Sequence, residues 1–519
     1  MDLFQSQLAK LQTHLSWVTT EPIDWKFYVL AFSWATCLWE SYLLLRQYPL
    51  YSKTEPPALL AEHFTPEVFN KSQKYGKHKA KFSLVSGLYR QILDTVQIQS
   101  GLFYPWAWKA AGQVIGYFNY GPEYQITQSL VFVIVLTIIS TVPTLPLNIY
   151  QTFVLEEQHG FNKTTPLLFV TDMLKGWAVG FTLGLPLLAA FLYVFEWAGD
   201  RFIPWLMALL LTFQITMVLI YPTLIQPLFN KLSPLSEGDL RKRIEALAGK
   251  LNFPLKHLYE IDGSKRSSHS NAYFFGLPWS KHIVIFDTLI NQAAPSEVEA
   301  VLAHELGHWY HAHPTKLLLI SQFHLLSILV LFPAFQHSSP LLRSFGFPPE
   351  VASSPFNGRK PPSVLAFLLF QMVLSPMECV VGMGMNAVSR MFEYEADVFA
   401  WGIGDLLASK GVISEEEAHA PSTIKAVPEP SMDAVPVETD KDANGKAEGG
   451  EGMGMGDMGK RLGRALVKLH VENLSTVWVD WLYSAYHHSH PTLTERLRAL
   501  EKMDETREKE RRGRERKEL

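Results

Sequence analysis

One short stretch of the chain carries the residue types of a metal-dependent hydrolase. His304, Glu305 and His308 form a His-Glu-x-x-His pattern inside a predicted helix, near whose start Ser296 and Glu299 are spaced as a capping box. Residues four apart share one face of a helix, so both histidines can direct an imidazole nitrogen at the same ion. Glu305 lies beside them, where a carboxylate can take a proton from a water on that ion. The pattern also arises by chance on core helices, so a third ligand is needed to decide between the two interpretations.

A candidate third ligand lies further along the chain. The segment Ser389–Asp397 is interpreted as the entry to a second helix, with Glu393 and Asp397 four residues apart on one face. Glu393 would complete a set of two histidines and one carboxylate, which leaves the fourth zinc position open for water. Asp397 would accept a hydrogen bond from a ligand imidazole and fix its tautomer. An acidic pair is ordinarily a solvated helix face, but this one follows a long apolar segment and a zinc pattern.

The elements that must position these residues are those of a membrane protein. The mean hydropathy of the 519 residues is only +0.05, but the apolar residues are concentrated in blocks close to the roughly 20 residues that a bilayer requires. Six blocks qualify: Phe27–Leu45, Ser129–Ile149, Leu167–Val194, Phe202–Tyr221, Leu317–Phe335 and Ser363–Val388. A seventh, Val96–Phe118, is weaker because it contains polar residues, and we expect its polar side to face the protein interior.

Charge and cysteine content exclude other classes. The formal net charge is −4, which gives no reason to expect a nucleic-acid partner. Cys37 and Cys379 both fall inside predicted spans, which makes a disulfide framework improbable. The first block has no small-residue cleavage site after it, so we expect it to remain as an anchor.

Loop charge predicts the orientation of the spans. The connection after the first span carries an excess of lysine and arginine, which places it in the cytosol. Seven spans then put Pro222–Lys316 and Ser389–Leu519 in the cytosol and Gln336–Pro362 in the lumen. Two spans separate the His-Glu-x-x-His pattern from Glu393, so both lie on the same side of the membrane.

The chain divides into six predicted regions. They are an N-terminal membrane region with five spans (1–221), a cytosolic α+β region (222–316), a two-span hairpin (317–388), a third-ligand helix (389–411), a disordered insertion (412–460) and a C-terminal cytosolic segment that completes the site (461–519). The α+β region combines an amphipathic helix, Glu237–Leu251, with short β-rich runs at His257–Ile261, Ala272–Phe275 and His282–Phe286. The insertion is rich in Pro, Gly and Glu and nearly free of aromatic residues, so it cannot bury enough apolar surface to fold.

Seven stretches, in order, resemble one family, the integral-membrane zinc metalloproteases known as type I CAAX prenyl proteases. They are Phe153–Asn162, Gln226–Leu235, Gly263–Gly276, Ile283–Leu289, Ala303–Trp309, Ser389–Asp397 and Tyr483–Leu500. The resemblance covers nearly the whole chain and weakens at Val412–Lys460.

The resemblance implies a mainly α fold in which seven transmembrane helices enclose a chamber, with a small α+β zinc-protease domain on the cytosolic side. It implies residence in the endoplasmic reticulum membrane and the nuclear membrane continuous with it. The implied reaction removes the last three residues of a protein that ends in a prenylated Cys-a-a-X box, and some members make a second cut upstream. The partners are therefore this prenylated protein and the lipid bilayer.

Residue roles follow from the resemblance together with the pattern. His304, His308 and Glu393 hold one zinc ion, and Glu305 takes the proton of the attacking water and passes a proton to the leaving amine. Asp397 orients a ligand histidine or donates a proton. The remaining site residues are in other segments: His490 as oxyanion donor, Arg496 as its partner or as a clamp on the substrate carboxylate, and Asn271 at an edge strand that pairs with substrate. His269, His311 and His313 are interpreted as structural or surface residues.

The alternative function is a membrane quality-control metalloprotease with the same zinc site, which degrades misfolded or stalled membrane proteins. Such relatives are typically shorter, and they lack the Gly263–Gly276 and Tyr483–Leu500 stretches together. The physiological substrate and the oligomeric state stay open.

Overall fold

The computed structural model describes residues 2–20, 23–352, 361–420 and 454–518. The first half consists of long helices: α1 (Trp25–Gln47), α2 (Pro66–Gln99), α3 (Phe103–Tyr117), α4 (Gln125–Tyr150), α5 (Pro166–Ala198) and α6 (Phe202–Ile220). Single turns of wider π-helix, Gln151–Glu156 and Tyr221–Ile225, extend α4 and α6. A short helix, Asp2–His14, precedes them.

An α+β unit follows. It contains β1 (Leu232–Pro234), α7 (Asp239–Lys250), β2 (Leu255–Ile261), β3 (Ala272–Leu277), β4 (Ser280–Phe286) and α8 (Pro295–Tyr310). The sheet order is β1-β2-β4-β3, with β2 and β4 parallel and the other pairs antiparallel. The predicted amphipathic helix and all three predicted strands are confirmed. β3 lies at the edge of the sheet, next to the helix that carries the His-Glu-x-x-His pattern.

The main helices after the α+β unit are α9 (His313–Leu331), α10 (Ser363–Trp401), α11 (Met458–Glu472), α12 (Trp481–His487) and α13 (Leu493–Glu518). Shorter helices lie between them at Pro333–Gln336, Ser339–Ser344, Pro349–Ala352, Ile403–Ser409 and Glu415–His419. α10 is continuous over 39 residues, about 58 Å at 1.5 Å per residue. The predicted border at 388/389 between a membrane span and a separate third-ligand helix is therefore wrong. Glu393 and Asp397 lie on the last turns of the spanning helix itself, because no proline or glycine interrupts the helix between the apolar block and these residues.

Within the residues that the structure describes, five helical stretches are long and apolar enough to cross a membrane: Trp25–Ser52, Gln125–Glu156, Pro166–Phe229, His313–Gln336 and Ser363–Trp401. The third is 64 residues long and contains both α5 and α6, which are separated at Gly199. The six strong apolar blocks of the sequence all lie in these stretches.

The weak seventh span is wrongly placed. Val96–Phe118 is broken at Ser100–Leu102, where Gly101 has a φ of +62°. A side chain at that φ is strained, so glycine marks the end of α2. The long helix in this part of the chain is α2, whose 34 residues include the basic segment that the sequence assigned to a loop. Charged residues in the first half of α2 lower the hydropathy of that segment, so the helix is not apparent as an apolar block in the sequence.

The long helices α1, α2, α4, α5, α6, α9 and α10 contact one another in a ring. Ser33 bonds to Gln91 between α1 and α2, and Tyr89 donates to the carbonyl of Pro143 between α2 and α4. α4 packs on α5, and α5 packs on α6. Gln322 on α9 donates to Gln214 on α6 at 2.7 Å. α9 then reaches α10 through the pair His324–Glu378, 3.1 Å apart, and α10 returns to α1.

Two hydrophobic cores lie at the two ends of α10. The first contains the start of α10 together with α3 and the adjacent ends of the long helices; Phe132, Phe332 and Phe370 are among its buried residues. The second contains the sheet, α7, α8, α11, the end of α10 and the start of α13. The long helices thus connect the first core at one end to the α+β unit at the other.

The predicted insertion is too wide at both ends. Ala418 and Met455 are 2% exposed and Met458 is fully buried, all in the second core or against it. The amide of Gly456 donates to the carbonyl of Ala420 at 3.0 Å, which joins the two flanks. The flanks fold because their apolar residues pack at the second core, which is formed by segments distant in the sequence. The rest of the predicted insertion, 421–453, lies outside the described residues.

Candidate active site

The site forms where α8 crosses α10. A Cβ at Gly307 would lie 3.1 Å from Cα of Ala396, closer than side-chain carbons ordinarily approach, so glycine permits the crossing. Val298, Leu302 and Leu306 bury the opposite face of α8 in the second core. The crossing brings the His-Glu-x-x-His face of α8 onto the Glu393 face of α10.

The three predicted ligands are brought together. Nε2 of His304 lies 3.2 Å from Nε2 of His308, and Glu393 lies 3.4 Å from the first and 3.3 Å from the second. Ligand atoms about 2.1 Å from a tetrahedral zinc lie about 3.4 Å from one another. The donor set and its spacing therefore fit a zinc ion with three protein ligands. Within the described residues, it is the one cluster of three or more acidic, histidine or cysteine side chains spaced for a metal.

His304 is oriented by Asp397. Oδ1 of this fully buried carboxylate accepts from Nδ1 of His304 at 2.9 Å, which leaves Nε2 free to bind a metal. Arg496 on α13 donates to both oxygens of Asp397, through Nη2 at 2.6 Å and Nε at 2.8 Å. Its Nη1 lies 3.6 Å from Glu393. Arg496 is 7% exposed, and its guanidinium faces Asp397 and Glu393. Its predicted role as a clamp on the substrate carboxylate stays a prediction.

His308 is held by a residue that the sequence interpretation left as structural. Nδ1 of His313 lies 2.9 Å from Nδ1 of His308, and Nε2 of His313 lies 2.9 Å from Oε2 of Glu395. His313 is 1% exposed and stacks on Phe392 with ring centroids 4.1 Å apart. The signals were present in the sequence, as a fourth histidine five residues after the pattern and a third carboxylate between Glu393 and Asp397.

The side chain of Glu305 lines a groove beside β3. The groove has a volume of about 440 Å³, and its lining includes Glu305, His308, Tyr221, Gln226 and the β3 residues Tyr273–Gly276. Burial raises the pKa of Glu305 above its usual range. A carboxylate with a raised pKa is better matched to accept and return a proton near neutral pH.

His490 lies at the rim of the site. Its Nε2 is 3.3 Å from Oε1 of Glu393, and Oγ of Ser489 is 2.9 Å from its Nδ1. A hydroxyl that donates to Nδ1 leaves the ring proton on Nε2, the nitrogen that faces the ligands. The imidazole is 65% exposed, so it can reach a bound substrate.

Asn271 is exposed and immediately precedes the edge strand. Its carbonyl accepts from the amide of Phe286, which ends the β3–β4 ladder, and its side chain accepts from the amide of Ala272. The loop before it is fixed to the membrane helices by Arg266, which donates to both oxygens of Asp172 at 2.8 and 3.0 Å. β3 therefore presents its free edge in a defined place.

The cap of α8 differs from the predicted one. Ser296 and Glu299 were expected to form a capping box, but the amide of Ala294 donates to Glu297 at 2.9 Å instead. Glu299 is 1% exposed and pairs with Arg461 at 2.9 Å and Arg243 at 3.3 Å. The buried carboxylate takes two guanidinium partners from α7 and α11, which no local spacing rule can show.

Comparison with known proteins identifies the class. Residues 47–231 match the family model for the CAAX prenyl protease N-terminal region with five membrane helices, and residues 234–504 match that of peptidase family M48. The chain belongs to peptidase family M48 and is a multi-pass membrane metalloprotease. A protein substrate and a lipid bilayer are its partners.

Individual relatives are similar over nearly their full length. The chain is 37% identical to CAAX prenyl protease 1 of Saccharomyces cerevisiae, over 93% of this chain and 96% of that protein. It is 34% identical to the CAAX prenyl protease 1 homolog of Homo sapiens, over 92% and 95%. The crystal structure of S. mikatae Ste24p superimposes with a TM-score of 0.74 at 37% identity, covering 92% of this chain and 99% of that one.

Proposed function

We propose that the chain is a zinc-dependent endopeptidase that removes the last three residues from prenylated Cys-a-a-X proteins. The observation that carries the proposal is the groove in which Glu305 and the ligand His308 lie beside the free edge of β3. An extended C-terminal peptide can add to such an edge by main-chain hydrogen bonds. The full-length likeness to proteins named CAAX prenyl protease 1 supports this reaction over membrane quality control.

Each site residue then has one task. When bound to His304, His308 and Glu393, zinc supplies a Lewis acid that activates water and polarises the scissile carbonyl. Glu305 accepts the proton of the attacking water and returns a proton to the leaving amine. His490 donates from Nε2 to the developing oxyanion. Asn271 binds substrate backbone at the start of β3.

Asp397 and Arg496 act behind the ligands. Asp397 fixes the tautomer of His304, and its two hydrogen bonds to Arg496 hold the carboxylate in place. We assign Arg496 the same positioning role, because its Nε and its Nη2 both donate to Asp397. This assignment replaces the substrate clamp as our proposal.

We also propose the membrane arrangement. The seven helices of the ring are α1, α2, α4, α5, α6, α9 and α10, and contacts around the ring support seven spans that surround a chamber. The basic N-terminal half of α2 lies at the same end as the α+β unit, where Phe69 is buried in the second core. Positive charge there supports an active site on the cytosolic side of the membrane. The resemblance to the CAAX prenyl proteases supports the endoplasmic reticulum and nuclear membranes as its location.

The test is a cleavage assay with purified full-length protein in detergent. Two peptides with the same Cys-a-a-X sequence are compared, one farnesylated and one unmodified, and the products are identified by mass spectrometry. We expect release of the intact C-terminal tripeptide from the farnesylated peptide alone, and none with Glu305→Ala. Equal cleavage of both peptides, or cuts at many positions, would favour the quality-control function instead.

A further inference from the structure

His313 and Glu395 form a hydrogen-bonded pair that the proposed reaction does not use; the side chain of His313 is 2% exposed and that of Glu395 is 38% exposed. Glu395 lies between Glu393 and Asp397 on α10, and His313 begins α9. Nε2 of His313 is 2.9 Å from Oε2 of Glu395, and Nδ1 of His313 is 2.9 Å from Nδ1 of His308. A three-membered chain therefore runs from a carboxylate on one spanning helix, through the first residue of another, to the ligand on α8.

The hydrogen-bond inventory of this chain fixes its direction. An ionised carboxylate only accepts, so His313 donates to Glu395 from Nε2. A neutral imidazole with its proton on Nε2 has an acceptor at Nδ1, so Nδ1–H of His308 must be the donor between the two rings. His308 then presents an unprotonated Nε2, the atom 3.2 Å from Nε2 of His304 and 3.3 Å from Glu393.

Packing holds His313 in this orientation. Its ring is 1% exposed and parallel to Phe392, with an interplanar angle of 6° and centroids 4.1 Å apart. His311 stacks against it at a centroid distance of 5.5 Å. A ring confined in this way cannot rotate its nitrogens away from both partners, so its position is set before any metal binds.

We propose that His313, backed by Glu395, is a positioning residue that sets the tautomer and angle of the zinc ligand His308, as Asp397 does for His304. The proposal rests on the proposed zinc site. It gives each ligand histidine its own carboxylate from α10, reached directly in one case and through His313 in the other. It also couples the metal to the junction between α8 and the membrane helix α9.

The test measures zinc retention rather than turnover. Zinc release to a chelator is followed for the wild type and for His313→Phe, which preserves the stack on Phe392 and removes both nitrogens. Loss of an orienting partner typically weakens metal binding about 10–100-fold, and we expect the release rate to rise by that factor. His311→Phe is the matched control: it changes a neighbouring histidine outside the chain of bonds and keeps an aromatic ring against His313, so its release rate should equal the wild type.

Two further variants separate positioning from general damage. His313→Asn restores an acceptor near the place of Nδ1 and should recover part of the loss. As a single change, Glu395→Leu should speed zinc release. Added to His313→Phe, it should speed release little further, because the two substitutions both act through His308. The absorption bands of cobalt-substituted protein report the ligand geometry in each variant, and thermal unfolding after metal removal checks that the fold is intact.

The outcomes distinguish this inference from the zinc site itself. Wild-type release from His313→Phe, with zinc lost from His308→Ala, would overturn the positioning role and leave the ligand set standing. Stoichiometric zinc in both His308→Ala and Glu393→Ala would remove the ligand set. If His313→Phe fails to fold, His313→Asn and Glu395→Leu carry the measurement, and wild-type release from both would also overturn the role.

Discussion

At the scale of single residues, the site is defined by which charges are buried together. Asp397 is fully buried and Arg496 is 7% exposed, and the two share a bidentate contact. Removal of one member of such a pair leaves an unpaired charge and typically costs about 3–5 kcal/mol. In the metal-free chain, burial opposes protonation of His304, but its hydrogen bonds to Asp397 and Glu393 prevail and raise its pKa to about 9. Binding of a zinc ion by His304 would therefore release a proton from this residue at neutral pH.

The zinc ligands and the general base should separate cleanly in two measurements. Glu305→Ala should keep stoichiometric zinc and lose about 10²–10⁴-fold or more in cleavage, because proton transfer is lost and the ligands are intact. Glu393→Ala should lose both zinc and activity. Elemental analysis of the purified variants and the farnesyl-peptide assay check this. Stoichiometric zinc in the Glu393→Ala protein would exclude Glu393 as a ligand.

At the scale of elements, α11 connects the second core to the site. Its Arg461 binds the buried Glu299 of α8, and its His470 lies near Arg496 of α13. Nδ1 of His470 donates to the carbonyl of Leu466 at 2.8 Å. Burial lowers the pKa of His470 to about 4. α11 is therefore an element whose packing depends on a neutral histidine.

This histidine predicts a component of acid instability. The unfolded chain protonates His470 near pH 6.5, whereas the folded chain resists protonation down to about pH 4. The unfolded state binds more protons between these values, so stability falls as the pH falls, by up to about 3 kcal/mol from this group. The melting temperature of His470→Asn should fall less than that of the wild type between pH 7 and 4.5. His63→Asn changes an exposed histidine, so its melting temperature should fall as much as that of the wild type. An equal fall in the wild type and in both variants would contradict the prediction.

The flanks of the predicted insertion give a second prediction for elements. Deletion of 421–453 should leave melting temperature and cleavage nearly unchanged, because its composition cannot form a core and its flanks already meet at Ala420 and Gly456. A longer deletion that also removes Met455–Met458 should destabilise the protein, since both methionines are buried. Thermal unfolding in detergent compares the two. Equal losses from both deletions would show that 421–453 packs.

At the scale of the whole molecule, one set of long helices joins two separate cores. α10 enters both of them, and it carries Glu393, Glu395 and Asp397 where it leaves the apolar region. The arrangement places the proposed ligands at the α+β end of the long helices. α13 begins at the site with Arg496 and ends in an exposed last turn that contains Arg516 and Lys517.

The sequence by itself determined the features that depend on local spacing. His304 and His308 had to share a helix face because they are four residues apart, and the apolar blocks had to form long helices because of their length. The strands β2, β3 and β4 followed from short β-rich runs between glycines and prolines. The four-residue spacing of Glu393 and Asp397 nominated both as site residues. The full-length resemblance to the CAAX prenyl proteases added the reaction class and nominated His490 and Arg496.

Only the tertiary structure decided which distant side chains meet. Glu395 reaches His308 through His313, Arg496 binds Asp397, and Glu299 leaves its predicted cap for Arg461. These contacts depend on the crossing of α8 and α10 and on the packing of α11 and α13, which bring together residues as much as 192 positions apart. The same reason explains α2, a long helix with a charged first half. Its stability comes from neighbours in the ring, and a linear pattern of apolar residues does not contain them.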